Sequence, residues 1–493
     1  MAFSKIIFNS TTLMDVTQDT VAADNLLAGE TATGADGEQV TGAYVPSGGE
    51  PQVVPTIERG VFFIDYTGEV VEEWETSTVA GKTALPSNPS HTGLTAKGWN
   101  WTLANIKTYM GNHPDALLTV GQEYTTTSGA TEIDFTLADD LTPYLVIAPN
   151  GTATVDWGDG STASTVTGTS TGTNIYTGHT YAAAGSYTIK ITATSGTFAF
   201  VSANGENGNI LAAYSYASKN WLYSNRITEI RCGTGCTIGA RGFAGCGNLL
   251  HLILPRTDTA IQGTILNNAF NLRSLTIPNG VTSVGSYAFN NAYSMRTLSL
   301  PNGITSFATY SNRFSLMLAA LALPDSVTTL NTYVFDNTAN LSNPAISTSL
   351  TTIPSYSFSN NVLMQRLTIP SNITTIQGNA FYGNRCLAEW RFEGTTPPTI
   401  SATSAYTNVN TFCVIYVPVA GLAAYLSKSN YPSKSSYTYI GFGTYENGTT
   451  LPTQDSTQAY NLTWYATKAD ALAQTNAITT GNGSEVYCRY VAV

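Results

Sequence analysis

The sequence predicts a mainly β, multidomain protein whose largest part is a solenoid of about 23 residues per coil. Three observations carry that prediction. Unit starts at 272, 295, 318, 341, 364 and 387 differ by 23, and stepping back by the same amount gives 249 and 226. Apolar residues alternate at the start of each unit, and a proline closes most of those runs. Charged residues make up only 11% of the chain, so Ser, Thr, Asn and Gly must form much of its surface.

Within a unit, two apolar residues stand two apart: Leu275/Ile277, Leu298/Leu300, Leu321/Leu323 and Leu367/Ile369. That spacing puts both side chains on one face of a short strand. Pro255, Pro278, Pro301, Pro324 and Pro370 end the strands, because proline has no N–H for a ladder. A second apolar pair follows, as in Val281/Val284 and Ile304/Phe307. An aromatic then anchors the unit: Phe243, Phe289, Phe335, Phe358 and Phe381. One coil cannot bury these groups alone, so stacking must supply a continuous core.

Two further rows repeat without being needed by the core. Tyr287, Tyr310, Tyr333 and Tyr356 share one offset. Strands of adjacent coils lie about 4.8 Å apart, so these rings form a ladder along one edge. Such a ladder suits glycan or protein recognition, or it merely shields the coil. Thr282, Thr305, Thr328, Thr351 and Thr374 form the second row, expected to hydrogen-bond from coil to coil.

The pattern L-x-x-L-x-[IL]-P-x-x-[VI]-T-x-[IVLF]-x-x-x-A-F, followed closely over 279–289 and 302–307, resembles the BspA-type leucine-rich repeat of bacterial surface proteins. Pro344 replaces a strand leucine in one unit, and Phe314 arrives two positions late in another. The segment CVIYVPVAGLAAY (413–425) resembles the strand and short helix that close such arrays, which places the solenoid with its caps at 204–436.

A chain of 493 residues has room for several domains. Its net charge of −11, with no basic run, disfavours nucleic acid, whose binding needs clustered Lys and Arg. Apolar runs are too short for a membrane span. The start, MAFSKIIFNSTTLMDV, lacks the apolar core of about 7–15 residues that a secretory signal needs. Of six cysteines, Cys232, Cys236 and Cys246 cluster in sequence without a fourth ligand at zinc spacing, so they are expected to be small buried apolar groups.

In chain order, residues 1–45 read as a small N-terminal module with a strand at 5–8 and a helical turn or two at 21–29. Their D-V-T-x-D-T-V, L-L-x-G-x-x-A and G-x-x-V-T-G runs resemble the N-terminal module of phage tail and baseplate fibres, which implies virion attachment. Residues 46–56 are a linker by their Pro and Gly content. A small α+β domain follows at 57–124, with a hairpin around Thr67-Gly68 and a helix over 102–110. Its run LPSNPSHTGLTAKGWNWTLANIKTY resembles a segment of tail proteins from phages and prophages of gut bacteria. Trp99 and Trp101 fit a small core better than a sugar site, and His91 and His113 read as turn residues. Residues 125–203 alternate as strands. V-D-W-G-D-G-S followed by G-H-T-Y-A-A-A-G-S-Y-T-I-K-I-T resembles a polycystic-kidney-disease-type, Ig-like β-sandwich. The resemblance implies that Trp157 and Tyr187 pack between sheets and that Asp156, Asp159 and His179 serve turns, with calcium a minor alternative. The aromatic stretch 214–223 is expected to seal the first coil, and 437–493 to form a small β module.

No nucleophile elbow, phosphate loop or HExxH is present, and Asp325, Asp336 and Glu389 stand on different coils. No catalytic residue, cofactor or metal is therefore expected. The resemblances imply a non-enzymatic phage tail-fibre or tail-tip adhesin. It would bind a host surface glycan or protein through Tyr287, Tyr310, Tyr333 and Tyr356, contact other tail proteins, and assemble as a homo-oligomer, for instance a trimer. A BspA-like cell-surface adhesin is the alternative, and a glycan-degrading tail enzyme the second.

Overall fold

Strand outweighs helix by 35% to 9%, and the strands are short and mostly parallel from coil to coil. The computed structural model describes residues 56–138, 141–201, 210–213 and 224–492, together with the strands Lys5–Phe8, Thr11–Asp15, Thr31–Thr33 and Gln39–Thr41. The chain divides into two units, Met1–Val54 and Pro55–Val493. In the first unit these four strands form two antiparallel pairs. The helix expected at 21–29, the linker and the aromatic stretch 214–223 lie outside the described residues.

Most coils of the second unit give two strands, and in the coils starting at 318 and 341 the first is reduced to a bridge between Ala322 and Ala345. One ladder contains His251–Ile253, Ser274–Thr276, Thr297–Ser299, Arg366–Ile369, Glu389–Phe392 and Val414–Pro418. The other contains Ala260–Ile261, Ser283–Val284, Ser306–Phe307, Thr329–Leu330, Thr352–Ile353, Thr375–Ile376 and Thr399–Ile400. Pairing is parallel and in register, Leu275 against Leu298 and Leu367 against Trp390. The period is not strict at the ends. Glu229 faces His251, one residue short of it, and Glu389 faces Val414, two residues long. End coils must meet flanking sheets rather than another identical coil, so their lengths depart from the middle ones.

Phe243, Phe289, Phe335, Phe358 and Phe381 are fully buried. Phe335 and Phe358 stack at 5.5 Å, and Phe358 and Phe381 at 6.1 Å. In the coil between Phe289 and Phe335, Phe314 is not a late anchor. Its φ is +60° and it lies outside the core under Arg313. Asn312 holds the anchor position instead, fully buried, with neither amide atom hydrogen-bonded to a described residue. Ser311 Oγ, Ser315 Oγ and Thr338 Oγ1 are buried there in the same state.

The boundary expected at residue 203 does not interrupt the structure. Strand Thr131–Leu137 pairs antiparallel with Gly185–Phe200 on one side and with the first-coil strand Ile227–Arg231 on the other. Strand Pro143–Asp156 joins two sheets, pairing first with Ile175–Gly178 and then with Ser164–Thr169. Trp157 is fully buried here. Tyr181, not Tyr187, takes the innermost ring position beside it, donating from its hydroxyl to the Trp157 carbonyl at 2.9 Å. Tyr187 is half-buried against Tyr181 at 4.2 Å.

The α+β module has Gly60–Ile64 between Val70–Glu75 and Leu117–Thr126, with Leu94–Trp99 outermost. Helix Leu103–Asn112 starts where Thr102 accepts the Asn105 N–H at 3.2 Å, a side-chain N-cap. This module lies on the first ladder. Asn100 Nδ2 donates to the Ile277 carbonyl (3.1 Å), Trp101 Nε1 to the Leu300 carbonyl (2.7 Å) and the Tyr109 hydroxyl to the Leu323 carbonyl (3.2 Å). A Cβ on Gly121 would meet Thr276 Oγ1 at 2.1 Å, so only glycine permits this approach.

At the other end, Thr438–Thr444 continues the first ladder, and Glu485–Ala492 and Tyr460–Tyr465 extend it antiparallel. The terminal segment is thus an extension of the solenoid sheet. Helix Lys468–Ala473 folds back over its outer face, where Lys468 pairs with Glu389 and Arg391 with Glu485.

Candidate functional site

The strand face of the solenoid is covered from both ends. Ser274, Thr297 and Ser299 are buried under the α+β module, and Arg391 is held under the C-terminal segment. Arg366 stands between the two covers with its side chain 63% exposed. The opposite side of each coil, a run of turns, is covered by neither of these modules and carries the tyrosine row.

Each turn run contains two left-handed residues four positions apart. The first are Arg241, Thr264, Tyr287, Tyr310, Tyr333, Tyr356 and Asn379. The second are Asn268, Asn291, Phe314, Asn337 and Asn360, with Gly245 and Gly383 at the ends of the row. This conformation aims the backbone N–H at the next coil. Tyr287 N–H donates to the Thr309 carbonyl (3.2 Å), Tyr310 N–H to Thr332 (3.3 Å) and Tyr333 N–H to Ser355 (3.3 Å). Asparagine tolerates this region because its short side chain can bond locally. Tyrosine has no such compensation, and left-handed backbone costs it about 1–2 kcal/mol.

The rings offset part of that cost by stacking. Centroids lie 4.8, 4.7 and 4.4 Å apart from Tyr287 to Tyr356, with interplanar angles of 25°, 23° and 6°. Tyr287 is 41% exposed, and the others are half-buried by one another. Stacking occupies the ring faces inside the row and leaves ring edges and hydroxyls outward. The Tyr333 phenol is pushed above its ordinary pKa by burial, then by Tyr356, Tyr310 and Asp336. A polar core supports the row: Arg313 Nε donates to Asp336 Oδ2 at 2.8 Å, and Asp336 is almost wholly buried.

The threonine row is consumed by the architecture. Thr305 Oγ1 donates to the Thr282 carbonyl (2.9 Å) and Thr374 Oγ1 to the Thr351 carbonyl (3.2 Å). A third row was not singled out from the sequence. Phe270 and Tyr293 stack at 5.2 Å on the open side, and Met317, Leu363 and Phe412 are exposed near the same edge. The common offset of Phe270 and Tyr293 was the available signal, obscured because later coils place Leu316, Ala339, Val362 and Arg385 there.

The remaining candidates are structural. Trp99 and Trp101 are buried. His91 is more than a turn residue, because its Nε2 meets buried Asp65 at 2.5 Å. His113 Nε2 meets Asp325 Oδ1 at 2.8 Å across the module–solenoid contact. Burial pushes Asp325 up, but bonds from His113, Asn112 and Thr348 outweigh it and hold its carboxyl below the usual range. Asp159 shows the same balance on an exposed turn, with bonds from Ser161 and His179 holding it at about 2 despite desolvation. Among the described residues, no three His, Cys, Asp or Glu side chains converge as a metal site. Cys232, Cys236 and Cys246 are buried in the first coil, while Cys386 is exposed. A shallow cleft between Tyr66, Tyr124, Leu254 and Pro278 is spanned by the Glu123–Arg256 pair at 2.6 Å.

With two ladders, a phenylalanine column and paired left-handed turns on one period, the coil has a family counterpart. A family model of the BspA type leucine-rich repeat region matches residues 188–273, 215–318 and 282–410, in six copies. The chain carries BspA-type leucine-rich repeats. No curated protein matches the chain. Among solved structures, a leucine-rich repeat protein from Bacteroides ovatus is 19% identical over 44% of this chain and 61% of its own, with a TM-score of 0.34. A leucine-rich cell surface protein from Faecalibacterium prausnitzii is 20% identical over 37% and 63%, with a TM-score of 0.25. A leucine-rich repeat protein of T. pallidum is 18% identical over 28% and 72%, with a TM-score of 0.27. The chain thus spans less than two thirds of the length of the first two. No helix among the described residues is long and apolar enough to cross a membrane.

Proposed function

We propose that this chain is a non-enzymatic adhesive surface protein whose BspA-type repeats hold a ligand on their turn face. One observation carries the reading. Four tyrosines occupy backbone positions that disfavour them, on the side of the solenoid that neither flanking module covers. A row that served packing alone would be cheaper as asparagine, the residue found at the same offset in Asn379. The isolated acids support binding over hydrolysis. Asp325, Asp336 and Glu389 are each committed to a basic partner, His113, Arg313 and Lys468.

The test uses the full chain, labelled and incubated with intact bacterial cells and with immobilised surface glycans and proteins. Tyr310→Ser with Tyr333→Ser should abolish retention in a chain that stays folded, its melt lowered by the roughly 0.5–1.5 kcal/mol that each of the lost ring stacks contributes. Retention at the wild-type level by that variant would overturn the reading.

A bacterial cell surface is the placement that the repeats support best. The motifs in 1–45 and 57–124 support the narrower alternative of a phage tail, with neighbouring tail proteins and further copies of the chain as partners. The V-D-W-G-D-G-S segment supports a polycystic-kidney-disease-type spacer in either setting. Recovery of the chain in purified virions would favour the tail. Its recovery only from washed bacterial envelopes would exclude it.

A further inference from the structure

Arg313 and Asp336 share one offset in successive coils and set an ion pair into a row that is otherwise neutral. The two preceding coils hold Asn290 and Asn267 at its offset, bonded to each other at 2.8 Å. The guanidinium carbon of Arg313 lies 5.3 Å from the Tyr310 ring, 4.3 Å from Phe314 and 5.8 Å from Tyr333. It is therefore fixed among aromatic rings between two members of the ladder. Its Nε donates to Asp336 Oδ2, and its side chain stays 32% exposed against 3% for Asp336. Asp336 is saturated from within. Ser359 Oγ (2.5 Å) and Asn360 Nδ2 (3.1 Å) donate to Oδ1, and Asn337 Nδ2 (3.0 Å) donates to Oδ2. The carboxylate is an internal anchor, and the part of the pair that solvent reaches is the guanidinium.

A guanidinium has five N–H donors in a planar fork, and the Nε bond uses one. Pre-positioned on aromatic rings, the remainder suit a carboxylate or sulfate, which they can meet in two parallel charge-assisted bonds. The Tyr310 and Tyr333 rings flank the guanidinium on both sides. The N–H groups of Tyr287, Tyr310 and Tyr333 are already spent between coils, so an extended peptide finds no edge to pair with beside Arg313. Ring faces inside the row are likewise taken by neighbours, so a ligand must meet edges and hydroxyls. A chain bearing many hydroxyls and an acidic group satisfies both conditions.

We propose that the turn face binds an acidic glycan, with Arg313 pairing its carboxylate or sulfate and the Tyr310 and Tyr333 hydroxyls bonding the sugar beside it. The proposal rests on the reading that the tyrosine row is the binding surface. The test is titration of the full chain with polygalacturonic acid, dextran sulfate, neutral dextran and poly-glutamate. At least one of the two acidic polysaccharides should bind, and neutral dextran should bind weakly or not at all. Arg313→Gln should lose about tenfold or more in affinity, the scale of one charge-assisted pair. Because Arg313→Gln leaves Asp336 without its cation, Arg313→Asn with Asp336→Asn is the control that restores a neutral turn. It should stay folded, melting below the wild type because an amide accepts fewer of the Asp336 bonds, and lose the same affinity. Equal acidic-glycan binding by wild type and both variants would overturn the assignment, and loss in Tyr310→Ser with Tyr333→Ser would then still support the row itself. If neither set of variants matters, the row is not the surface. Failure of both acidic polysaccharides to bind, or Arg313-dependent binding of poly-glutamate equal to theirs, would also overturn the glycan assignment.

Discussion

The strand face and the turn face belong to the same coils, yet they solve opposite problems. On the strand face the outward residues are small, such as Ser274, Thr276, Ser299, Ala320 and Ala322, and another part of the chain lies on them. Trp101, Tyr109 and Asn100 bond directly to coil carbonyls there. On the turn face the outward residues include large rings, and no described part of the chain covers them. Small residues permit close approach of a second sheet, whereas protruding rings prevent it. Face identity in this solenoid is thus set by side-chain size at two offsets, while one phenylalanine column serves both.

That shared column gives the largest expected effect. Phe335 packs between Phe307 and Phe358, stacking on the latter, and is fully buried. Phe335→Ala should cost about 3–5 kcal/mol by denaturant unfolding, from lost transfer free energy and the cavity left behind. Both faces should fail together. If module docking and ligand retention respond separately, the faces do not share one core.

Docking on the strand face should depend on acid. Asp325 accepts from His113 (2.8 Å), Asn112 (3.0 Å) and the Thr348 N–H (2.9 Å), which join the module to two coils. These bonds lower its folded pKa below the unfolded value of about 3.9. A depressed carboxylate stabilises the folded state above the unfolded pKa, and that stability is lost as pH falls towards the folded value. Wild type should therefore melt above Asp325→Asn at pH 7. The gap should close progressively below about pH 4. A constant gap down to the acid limit would deny Asp325 this role. The effect should be smaller than that of Phe335→Ala, because the pair is partly open to solvent.

Much of this architecture was legible in the sequence, and the misses have physical causes. Side chains that recur every 23 residues reveal the coil, because stacking demands the same residue type at the same place. The hairpin at Thr67-Gly68 and the helix behind Thr102 were readable from local turn and capping chemistry. Covering of the strand face was not, because Asn100 and Ser299 meet across 199 residues with no local signature. Neither was the shared sheet at Ile227–Arg231, since an edge strand reads alike whether it ends a domain or continues it. In the candidate site, the tyrosine offset was visible but the left-handed backbone beneath it was not. The coil 295–317 misled because Phe314 looked like a displaced anchor, when the array kept its register and buried Asn312.

Asn312 offers an intermediate effect of opposite sign. Restoring the anchor by Asn312→Phe would bury a large ring, worth about 2–3 kcal/mol of transfer free energy. It would also remove an amide buried without partners, at roughly 1–3 kcal/mol. Crowding against Phe289 and Phe335 should take back about 1–3 kcal/mol. At the middle of these ranges the net gain in chemical denaturation is about 2–3 kcal/mol. Destabilisation would mean that the coil has adapted its backbone to the smaller residue.

Smallest in stability should be a change on the turn face itself. Tyr333→Gly removes two ring stacks, each worth about 0.5–1.5 kcal/mol. It also relieves a left-handed tyrosine, returning about 1–2 kcal/mol. Glycine adds flexibility to the unfolded chain, at roughly 0.5–1 kcal/mol. At the middle of these ranges the sum is a loss of about 1 kcal/mol, a shift of a few degrees in a melt. Ligand retention, in contrast, should fall sharply, because the row is broken at its centre and Arg313 loses a flanking ring. A large loss of stability with retention intact would reverse the comparison: the tyrosines would then be the packing element. The sign of that difference is the most direct discriminator, since one substitution at one backbone position reports on both roles.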